Sequence, residues 1–314
     1  MKPFTVLSLF DGIACGRIAL DRAGIPVRRY IASEIEPNAI RAAQANFPDI
    51  EQIGDVMNVD TTKLPEIDLL IGGSPCQGFS SSGKGLNFVD PRSRLFFEYV
   101  RILKEVKPKY FLLENVKMRK EWEKIITEYV GVEPIEINSS LVSAQNRVRL
   151  YWTNIPNIVL PLDRGIALSD ILEDLEWNQP GAIRGRRLNK GVIVGRRLNE
   201  SGRRQDYDKT VPITQCLEVR ATNTDKSNCI TTVDKDNVLT PLPPGRYPDA
   251  FKRGLPFRYY TTVEYCRLQT LPDHYLDMIP ESQARKAIGN GWTVDVIAHI
   301  LAGIRRAEEG EDGK

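Results

Sequence analysis

Residues 4–16 read FTVLSLFDGIACG, and they set the pattern for the first half of the chain. Phe4 to Phe10 is an apolar run that stops at Asp11-Gly12, which is typical of a buried strand followed by a turn. From Ile13 to Ala23 the apolar residues recur at helical spacing, and this segment stops at Gly24. We therefore predict a strand, a glycine-bearing turn and a helix, in that order.

The same alternation of strand-like and helix-like segments continues along the first half of the chain. Short apolar runs that end in glycine or polar residues predict strands, and longer segments with helical spacing predict helices. Strands that alternate with helices indicate βαβ units, and therefore an α/β fold with a parallel sheet. The predicted strands are Val27 to Ser33, Ile67 to Ile71 and Tyr110 to Leu113, and the predicted helices are Pro37 to Asn46 and Arg94 to Val106.

The composition of the chain changes after about Asn154. The residues that follow are rich in Pro, Gly, Arg and Thr and show no long periodic helix, but helical spacing returns at Thr261 to Gln269 and at Val294 to Ala307. This pattern predicts a larger domain built from both ends of the chain and a smaller domain inserted between them. The predicted boundaries are 1–154 with 258–314 for the larger domain, and 155–257 for the smaller one.

A short near-repeat lies inside the inserted region. The sequence GRRLN occurs at residues 185–189 and again at 195–199. Two copies ten residues apart predict a β-hairpin with matched arms, because a solenoid needs three or more units. Residues 181–220 contain ten Lys or Arg and four Asp or Glu. This local basic excess would suit contacts to phosphate groups, although most charge runs are solvated surfaces.

The bulk composition excludes several classes of protein. The chain has 314 residues, 41% of them hydrophobic and 27% charged, with a net charge of +2, so overall charge does not point to nucleic acid. Five cysteines without a C-x-x-C pair argue against a disulfide framework, and two histidines are too few for most zinc sites. The first nine residues lack the length and cleavage site expected of a signal peptide, and no apolar stretch reaches about 20 residues. We expect an intracellular, cytoplasmic protein with no metal and no membrane span.

The turn after the first predicted strand is a candidate ligand site. Residues 10–16 are not a G-x-G-x-x-G motif, because Ala14 stands at one glycine position, and a purely structural turn is an equally good interpretation. Glu34 and Asp55, however, follow the second and third strands. The carboxyl ends of strands in an α/β sheet line one crevice, where one carboxylate could hold a ribose diol and another an amine. Carboxylates after successive strands favour a ligand site.

The segment GGSPCQGFS at residues 72–80 places a cysteine after a predicted strand. A lone cysteine is usually a small buried hydrophobic residue, but Cys76 is followed by a polar, glycine-rich loop and preceded by the stiff Pro75. The overlapping residues 78–85 resemble a P-loop, except that Gly85 replaces the Ser or Thr that binds magnesium. We therefore interpret the segment as a glycine-hinged lid over a reachable thiol.

Two further polar motifs follow. Glu114 begins the sequence ENV at the end of a predicted strand and would face Cys76 across the same crevice. The sequence QNRVR at residues 145–149 would place Gln145, Arg147 and Arg149 on one face of a strand. This face is either an exposed strand surface or a contact to a substrate anion or base.

Taken in order, these motifs resemble those of the DNA (cytosine-5) methyltransferases, including bacterial and phage enzymes. The FDGIACG turn is also similar to that of the animal de novo enzymes. The resemblance covers about residues 4–154 and 258–303 and leaves the middle unmatched, and Ala14 replaces a common glycine. The matching motifs are FDGIACG, Glu34, Asp55, GGSPCQGFS, ENV, QNRVR, TVEYCRLQTLP at 262–272 and GNGW at 289–292.

The resemblance implies a Rossmann-like methyltransferase sheet with a smaller, irregular, β-rich target-recognition lobe. It also implies S-adenosylmethionine as the cofactor and double-stranded DNA as the partner of a monomeric enzyme. The implied catalytic residues are Cys76, Glu114, Arg147 and Arg149. The implied cofactor residues are Phe10, Asp11, Gly12, Ala14, Gly16, Glu34, Ile35, Asp55, Val56, Pro75, Leu95, Asn290 and Trp292. The expected DNA contacts are Gln77, Ser80, Arg186, Arg187, Arg196, Arg197 and Arg220.

The implied chemistry is covalent catalysis. Cys76 would add to C6 of a flipped-out cytosine, Glu114 would hold N3 and the 4-amino group, and Arg149 would hold the 2-carbonyl, with Arg147 as a supporting contact. Methyltransferases that act on exocyclic amino groups resemble one another in a Pro-Pro-aromatic motif at this point. The cysteine after Pro75 therefore favours methylation at carbon. An RNA substrate, or a catalytically silent DNA-binding module, remains an alternative.

Overall fold

The computed structural model describes residues 1–75, 94–174, 188–219 and 225–310. The first half of the chain forms a seven-stranded sheet in the order β3-β2-β1-β4-β5-β7-β6. Strands β1 to β5 are parallel, and β7 runs antiparallel to both of its neighbours. The strands are β1 (Phe4–Leu9), β2 (Val27–Ser33), β3 (Glu51–Gln52), β4 (Leu69–Gly72), β5 (Tyr110–Val116), β6 (Pro134–Asn138) and β7 (Val148–Thr153). The predicted α/β class is confirmed.

Helices cover both faces of this sheet. Along β1, Phe4 and Val6 enter one hydrophobic core while Leu7 and Leu9 enter the other, because successive side chains of a strand point to opposite faces. The first core contains the buried faces of α1, α2, α6 and α7, and the second contains those of α3 and α4. The helices are α1 (Cys15–Ala23), α2 (Pro37–Asn46), α3 (Arg94–Val106), α4 (Lys120–Val130), α5 (Thr262–Leu268), α6 (Glu281–Asn290) and α7 (Val294–Glu309).

The first helix starts later than its apolar spacing predicts. We expected a helix from Ile13, but α1 begins at Cys15. Phe10, Gly12 and Ala14 have φ values of 57°, 60° and 61°, which are left-handed and cannot belong to an α-helix. The turn therefore uses every second residue between the strand and the helix to reverse the chain, and a regular helix starts only after it.

The inserted region, together with the two residues that follow it, forms a second, antiparallel sheet in the order β11-β9-β8-β10-β12. It has its own small core, formed by Ile193, Leu217, Val219, Val238 and Ala250. The described part of 155–257 contains no α-helix, as its composition predicted. The strands are β8 (Asn189–Arg197), β9 (Ile213–Val219), β10 (Val238–Thr240), β11 (Gly245–Pro248) and β12 (Arg258–Tyr259).

The hairpin predicted from the GRRLN repeat is wrong. Strand β8 begins at Asn189, the last residue of the first copy, and continues to Arg197 in the second copy. Asn189 pairs with Thr240 of β10, and Arg197 pairs with Ile213 of β9, so a continuous strand occupies the place of the predicted turn. Residues 185–187 of the first copy lie outside the described residues. The residues between the copies include Val192, Ile193 and Val194, whose branched side chains favour continuing a strand over turning it.

Residues 225–232 lie between β9 and β10 of the second sheet and contact the larger lobe. Ser227 forms an isolated bridge with Gln145, and the Lys226 ammonium donates to the backbone oxygens of Ser143 and Ile166, at 3.2 and 2.6 Å. A Cβ atom on Gly289 would lie 2.5 Å from the backbone oxygen of Thr231. Only glycine therefore fits where this segment crosses the end of α6, and the segment packs directly on the larger lobe.

The described ranges contain no clear membrane-spanning helix and no candidate metal site. No single helix is long and apolar enough to cross a membrane, and α6 with α7 passes that test only as a pair bent by 43°. No group of three or more His, Cys, Asp or Glu side chains there could hold a metal ion. The described cysteines are free thiols: Cys15, Cys216, Cys229 and Cys266.

Candidate active site

A cavity of about 430 Å³ opens at the carboxyl ends of β1, β2, β4 and β5. Both ends of the chain line it, because α6 and the residues after it close the side opposite the strand ends. The structure brings most of the residues predicted for the cofactor and the chemistry to this one cavity. They are Phe10, Asp11, Gly12, Glu34, Ile35, Asp55, Val56, Pro75, Leu95, Glu114, Arg147, Arg149, Asn290 and Trp292.

Glu34 is fixed by the backbone around it. Its Oε2 accepts a hydrogen bond from the Gly12 amide at 2.8 Å, and its Oε1 accepts from the amides of Ile35 and Glu36 at 2.8 and 2.9 Å. The carboxylate thus joins the end of β2 to the turn after β1. On the next strand connection, Asp55 Oδ1 accepts from the Met57 amide at 2.9 Å. The two carboxylates are therefore held in place before any ligand binds.

Two of the predicted cofactor residues, Ala14 and Gly16, do not line the cavity. Ala14 is fully buried. A Cβ atom on Gly16 would lie 2.4 Å from Ile71 Cδ1 and 2.9 Å from the Tyr30 hydroxyl oxygen. The sequence places both residues in the turn motif, but the turn directs them into the core behind the cavity wall.

Asp11 faces the protein interior although it borders the cavity. Its Oδ1 accepts hydrogen bonds from the hydroxyls of Ser8 and Tyr30, at 2.6 and 2.7 Å, and its Oδ2 is buried without a partner. Burial raises the pKa of this carboxyl group from its ordinary value of 3.8 to about 6. Desolvation thus outweighs the two hydroxyl donors, and the charged form is less favourable in the folded state than in water.

Asp11→Asn should change how stability depends on pH. Because the pKa of Asp11 is higher in the folded chain, its contribution is complete below about pH 4 and is lost as the pH rises through about 6. The free energy of unfolding of the wild type, relative to the variant, should fall by about 2 kcal/mol between pH 4 and pH 7. Denaturant unfolding of both proteins at each pH measures it. A difference that stays constant with pH would contradict the assignment.

Glu114 is held from two sides at the end of β5. The Nε of Arg149 lies 3.0 Å from Glu114 Oε1, and the indole Nε1 of Trp292 donates to Glu114 Oε2 at 3.2 Å. The next residue, Asn115, donates through its side-chain amide to the backbone oxygen and the hydroxyl of Ser74, at 3.3 and 3.2 Å. These bonds join the ENV motif to the turn that contains Pro75.

Arg147 contacts backbone and not an open anion site. Strand β7 begins only at Val148, so the predicted strand face shared by Gln145, Arg147 and Arg149 is wrong. Arg147 is buried, and its guanidinium donates to the backbone oxygens of Ile230, Gly289 and Gly291 at 3.1, 3.2 and 2.9 Å. Buried carbonyl groups need such donors, which accounts for this orientation of the side chain.

The comparison with known proteins gives a clear family. A family model described as C-5 cytosine-specific DNA methylase matches residues 4–127. The chain is 31% identical over 322 residues to the type II methyltransferase M1.ScrFI of Lactococcus lactis subsp. cremoris, covering 95% of this chain and 77% of that protein. It is 30% identical over 314 residues to the type II methyltransferase M.HaeII of Haemophilus aegyptius, covering 96% and 92%. The chain belongs to the C-5 cytosine-specific DNA methylase family.

Solved structures share the fold of this family member. The methyltransferase EhMeth of Entamoeba histolytica superposes with a TM-score of 0.71 at 17% identity, over 98% of this chain and 99% of that one. The Dnmt2 methyltransferase of S. pombe gives a TM-score of 0.65 at 19% identity, over 97% and 99%. At these identities the likeness establishes the architecture only.

Sequence reasoning missed part of this methylase site. Helix α6 was not predicted, yet Gln283, Lys286 and Ala287 line the cavity from it. A signal was present, since Pro280 followed by Glu281 is a common helix start. Ser74, Gly73 and Cys15 also line the cavity but were not singled out.

The predicted DNA contacts fall into two groups. Gln77, Ser80, Arg186, Arg187 and Arg220 lie outside the described residues, as does the predicted nucleophile Cys76. Arg196 is described and forms a two-pronged ion pair with Glu218, with its Nε 2.8 Å from Oε1 and its Nη2 3.1 Å from Oε2. Arg197 lies beside it with its Nε buried and without a partner. The structure therefore engages Arg196 within the sheet.

Proposed function

We propose that this enzyme transfers a methyl group from S-adenosylmethionine to C5 of a cytosine flipped out of duplex DNA, through a transient bond between Cys76 and C6. The observation that carries the proposal is the position of Glu114, held between Arg149 and Trp292 on the cavity that Pro75 also lines. Pro75 immediately precedes Cys76 in the sequence. Membership of the family supports the same chemistry.

The cavity suits a cationic, hydroxyl-bearing cofactor. Glu34 has three backbone donors on a carboxylate that offers about four acceptor positions, so Oε2 can accept one more hydrogen bond, for instance from a ribose hydroxyl. Asp55 uses Oδ1 for the backbone, which leaves Oδ2 for an amine donor. Phe10, Val56 and Leu95 supply apolar walls. When bound, S-adenosylmethionine supplies a methyl group carried on a positive sulfonium.

The remaining groups would act on the cytosine ring. Its C5 is a weak nucleophile, so the Cys76 thiolate first bonds to C6, which breaks the aromaticity and gives C5 enamine character. Glu114 accepts a hydrogen bond from the 4-amino group and favours protonation of N3 as negative charge develops on the ring, and Arg149 holds Glu114 and the 2-carbonyl side. After C5 has gained the methyl group it loses its proton, the sulfur–C6 bond breaks, and the thiolate leaves.

The proposed attack at C6 requires base flipping. A thiolate must approach C6 perpendicular to the ring, and stacked neighbours in a duplex block that direction. A base delivered into a cavity at the strand ends can be reached from above and below. We therefore assign residues 1–154 and 258–314 to cofactor binding and catalysis.

We assign residues 155–257, with their antiparallel sheet and local basic excess, to recognition of the DNA target. Phosphate contacts need such positive charge, and arginine can also read guanine with two hydrogen bonds. Two of the arginines predicted to contact DNA are described. Because Arg196 is already paired with Glu218, Arg197 is the better candidate of these two. We expect the enzyme to act as a monomer in the cytoplasm, with duplex DNA as its partner.

Transfer of a labelled methyl group tests the proposal directly. The purified enzyme is incubated with methyl-labelled S-adenosylmethionine and either duplex DNA or tRNA, and DNA from cells that express it is sequenced after bisulfite treatment. We expect label in DNA only, and protected cytosines within one short sequence. Label in tRNA would replace DNA by RNA as the substrate, and binding of DNA without any transfer would indicate a silent module.

A further inference from the structure

The indole ring of Trp292 lies between Glu114 and the start of α1. The Nε1 of Trp292 donates to Glu114 Oε2 at 3.2 Å, while its Cζ3 lies on the opposite side of the ring, toward Gly16 at the start of α1. We propose that Trp292 is a positioning residue that fixes the orientation of Glu114 for the cytosine. This inference rests on the proposed function, because it assigns Glu114 to the base.

Both oxygens of Glu114 are tethered, each by a different donor. Arg149 holds Oε1 at 3.0 Å and Trp292 holds Oε2 at 3.2 Å. Only 12% of the Glu114 side chain is exposed, so water competes little with either donor. A carboxylate held at both oxygens has a fixed plane, which a single ion pair would not give it. Arg149 alone would leave Oε2 free to rotate away from the position that receives the base.

The glycine at position 73 leaves room for this contact. A Cβ atom there would lie 2.9 Å from Trp292 Nε1 and 3.0 Å from Glu114 Oε2, closer than side chains normally approach. The same added atom would therefore press on both partners of the hydrogen bond. A Cβ atom on Gly16 would lie 3.5 Å from Trp292 Cζ3, at ordinary contact distance. The ring is thus packed between the end of β4 and the start of α1.

The backbone on either side of Trp292 is also held firmly. The oxygen of Gly291 accepts from Arg147 Nη2 and from Gln269 Nε2, both at 2.9 Å. On the other side, the Thr293 hydroxyl donates to Gln269 Oε1 at 2.7 Å. Arg149 therefore acts on Glu114 directly, whereas Arg147 acts through the backbone that presents the indole. The QNRVR motif therefore supplies one buried arginine for the backbone and a second arginine for the Glu114 carboxylate.

Trp292→Phe tests the assignment because phenylalanine keeps an aromatic cavity wall and removes the N–H donor. We expect kcat for methyl transfer to fall by about 10- to 100-fold, as for loss of a hydrogen bond to a charged group. The Kd for S-adenosylmethionine should stay within about threefold. If Trp292 only forms a wall for the cofactor, the Kd rises and kcat is unchanged, and the proposal is overturned.

Trp152→Phe is the matched control. Its indole Nε1 donates to Thr127 Oγ1 at 2.9 Å in the core on the other face of the sheet, so the variant should lose stability and keep its kcat. Gly73→Ala offers a second route, since it should lower kcat by crowding the same hydrogen bond even if Trp292→Phe does not fold. An inactive wild type would reject the proposed function itself. An active wild type with unchanged kcat in the folded variants would reject only the role of Trp292.

Discussion

Cys76→Ala is expected to abolish methyl transfer, with a loss of about 10³-fold or more, while binding of duplex DNA stays measurable. Removing the proposed nucleophile eliminates the covalent route to C6. Binding of the duplex depends on the phosphate and base contacts, which the substitution leaves intact. Transfer of labelled methyl and a DNA-binding titration, performed on the same preparations, measure the two effects.

A duplex with 5-fluorocytosine at the target makes the covalent step visible. Fluorine at C5 cannot leave as a proton does, so elimination stops and the sulfur–C6 bond persists. We expect a protein–DNA complex that survives a denaturing gel with the wild type and is absent with Cys76→Ala. Cys229→Ala is the matched control, because this half-buried thiol lies 3.4 Å from Arg147 Nη1 and 4.0 Å from Arg149 Nη2. A complex lost with Cys229→Ala and kept with Cys76→Ala would move the nucleophile to Cys229.

Glu114→Gln is expected to lower kcat by about 10²- to 10⁴-fold, the range typical of a lost general acid or base. Glutamine has nearly the same shape, but it carries no charge and cannot share a proton with N3 of the ring. It also turns one of the two acceptor oxygens into a donor, which conflicts with the N–H groups of Arg149 and Trp292. Steady-state kinetics with saturating cofactor measure the change.

Glu136→Gln is the control for this substitution. Glu136 lies on β6, which β7 separates from the strand of Glu114, and it forms an exposed ion pair with Lys117 at 2.8 Å. Such pairs contribute little to stability. Its kcat should match that of the wild type. Equal activity of Glu114→Gln and Glu136→Gln would remove Glu114 from the chemistry, and with it the observation on which the proposed function depends.

Local sequence signals predicted the bounds of several elements correctly. Strand β2 and helices α2 and α3 have the predicted limits, because a proline starts α2 and Pro108 lies just beyond the end of α3. Glu34 and Asp55 could be assigned to one crevice from sequence, since parallel strands that alternate with helices all end at the same edge. Those features depend on neighbours close in the chain.

Predictions that required knowledge of strand partners or side-chain orientation did poorly. The GRRLN copies looked like two arms, but β8 pairs with strands from farther along the chain. Ala14 and Gly16 belong to the turn motif yet point into the core, because left-handed residues rotate the chain at alternate positions. A local pattern specifies the period of a segment and leaves the choice of partner open.

The sequence alone determined that a parallel sheet would bring several carboxylates to one edge, because strand and helix periods are local properties. Only the tertiary structure decided that Trp292 meets Glu114, which lies 178 residues earlier in the chain. It also decided that Arg147 contacts carbonyl groups while Arg149 contacts the carboxylate. Such pairings follow from how the end of the chain folds back over the first half, where packing and the need to satisfy buried polar groups select the partner.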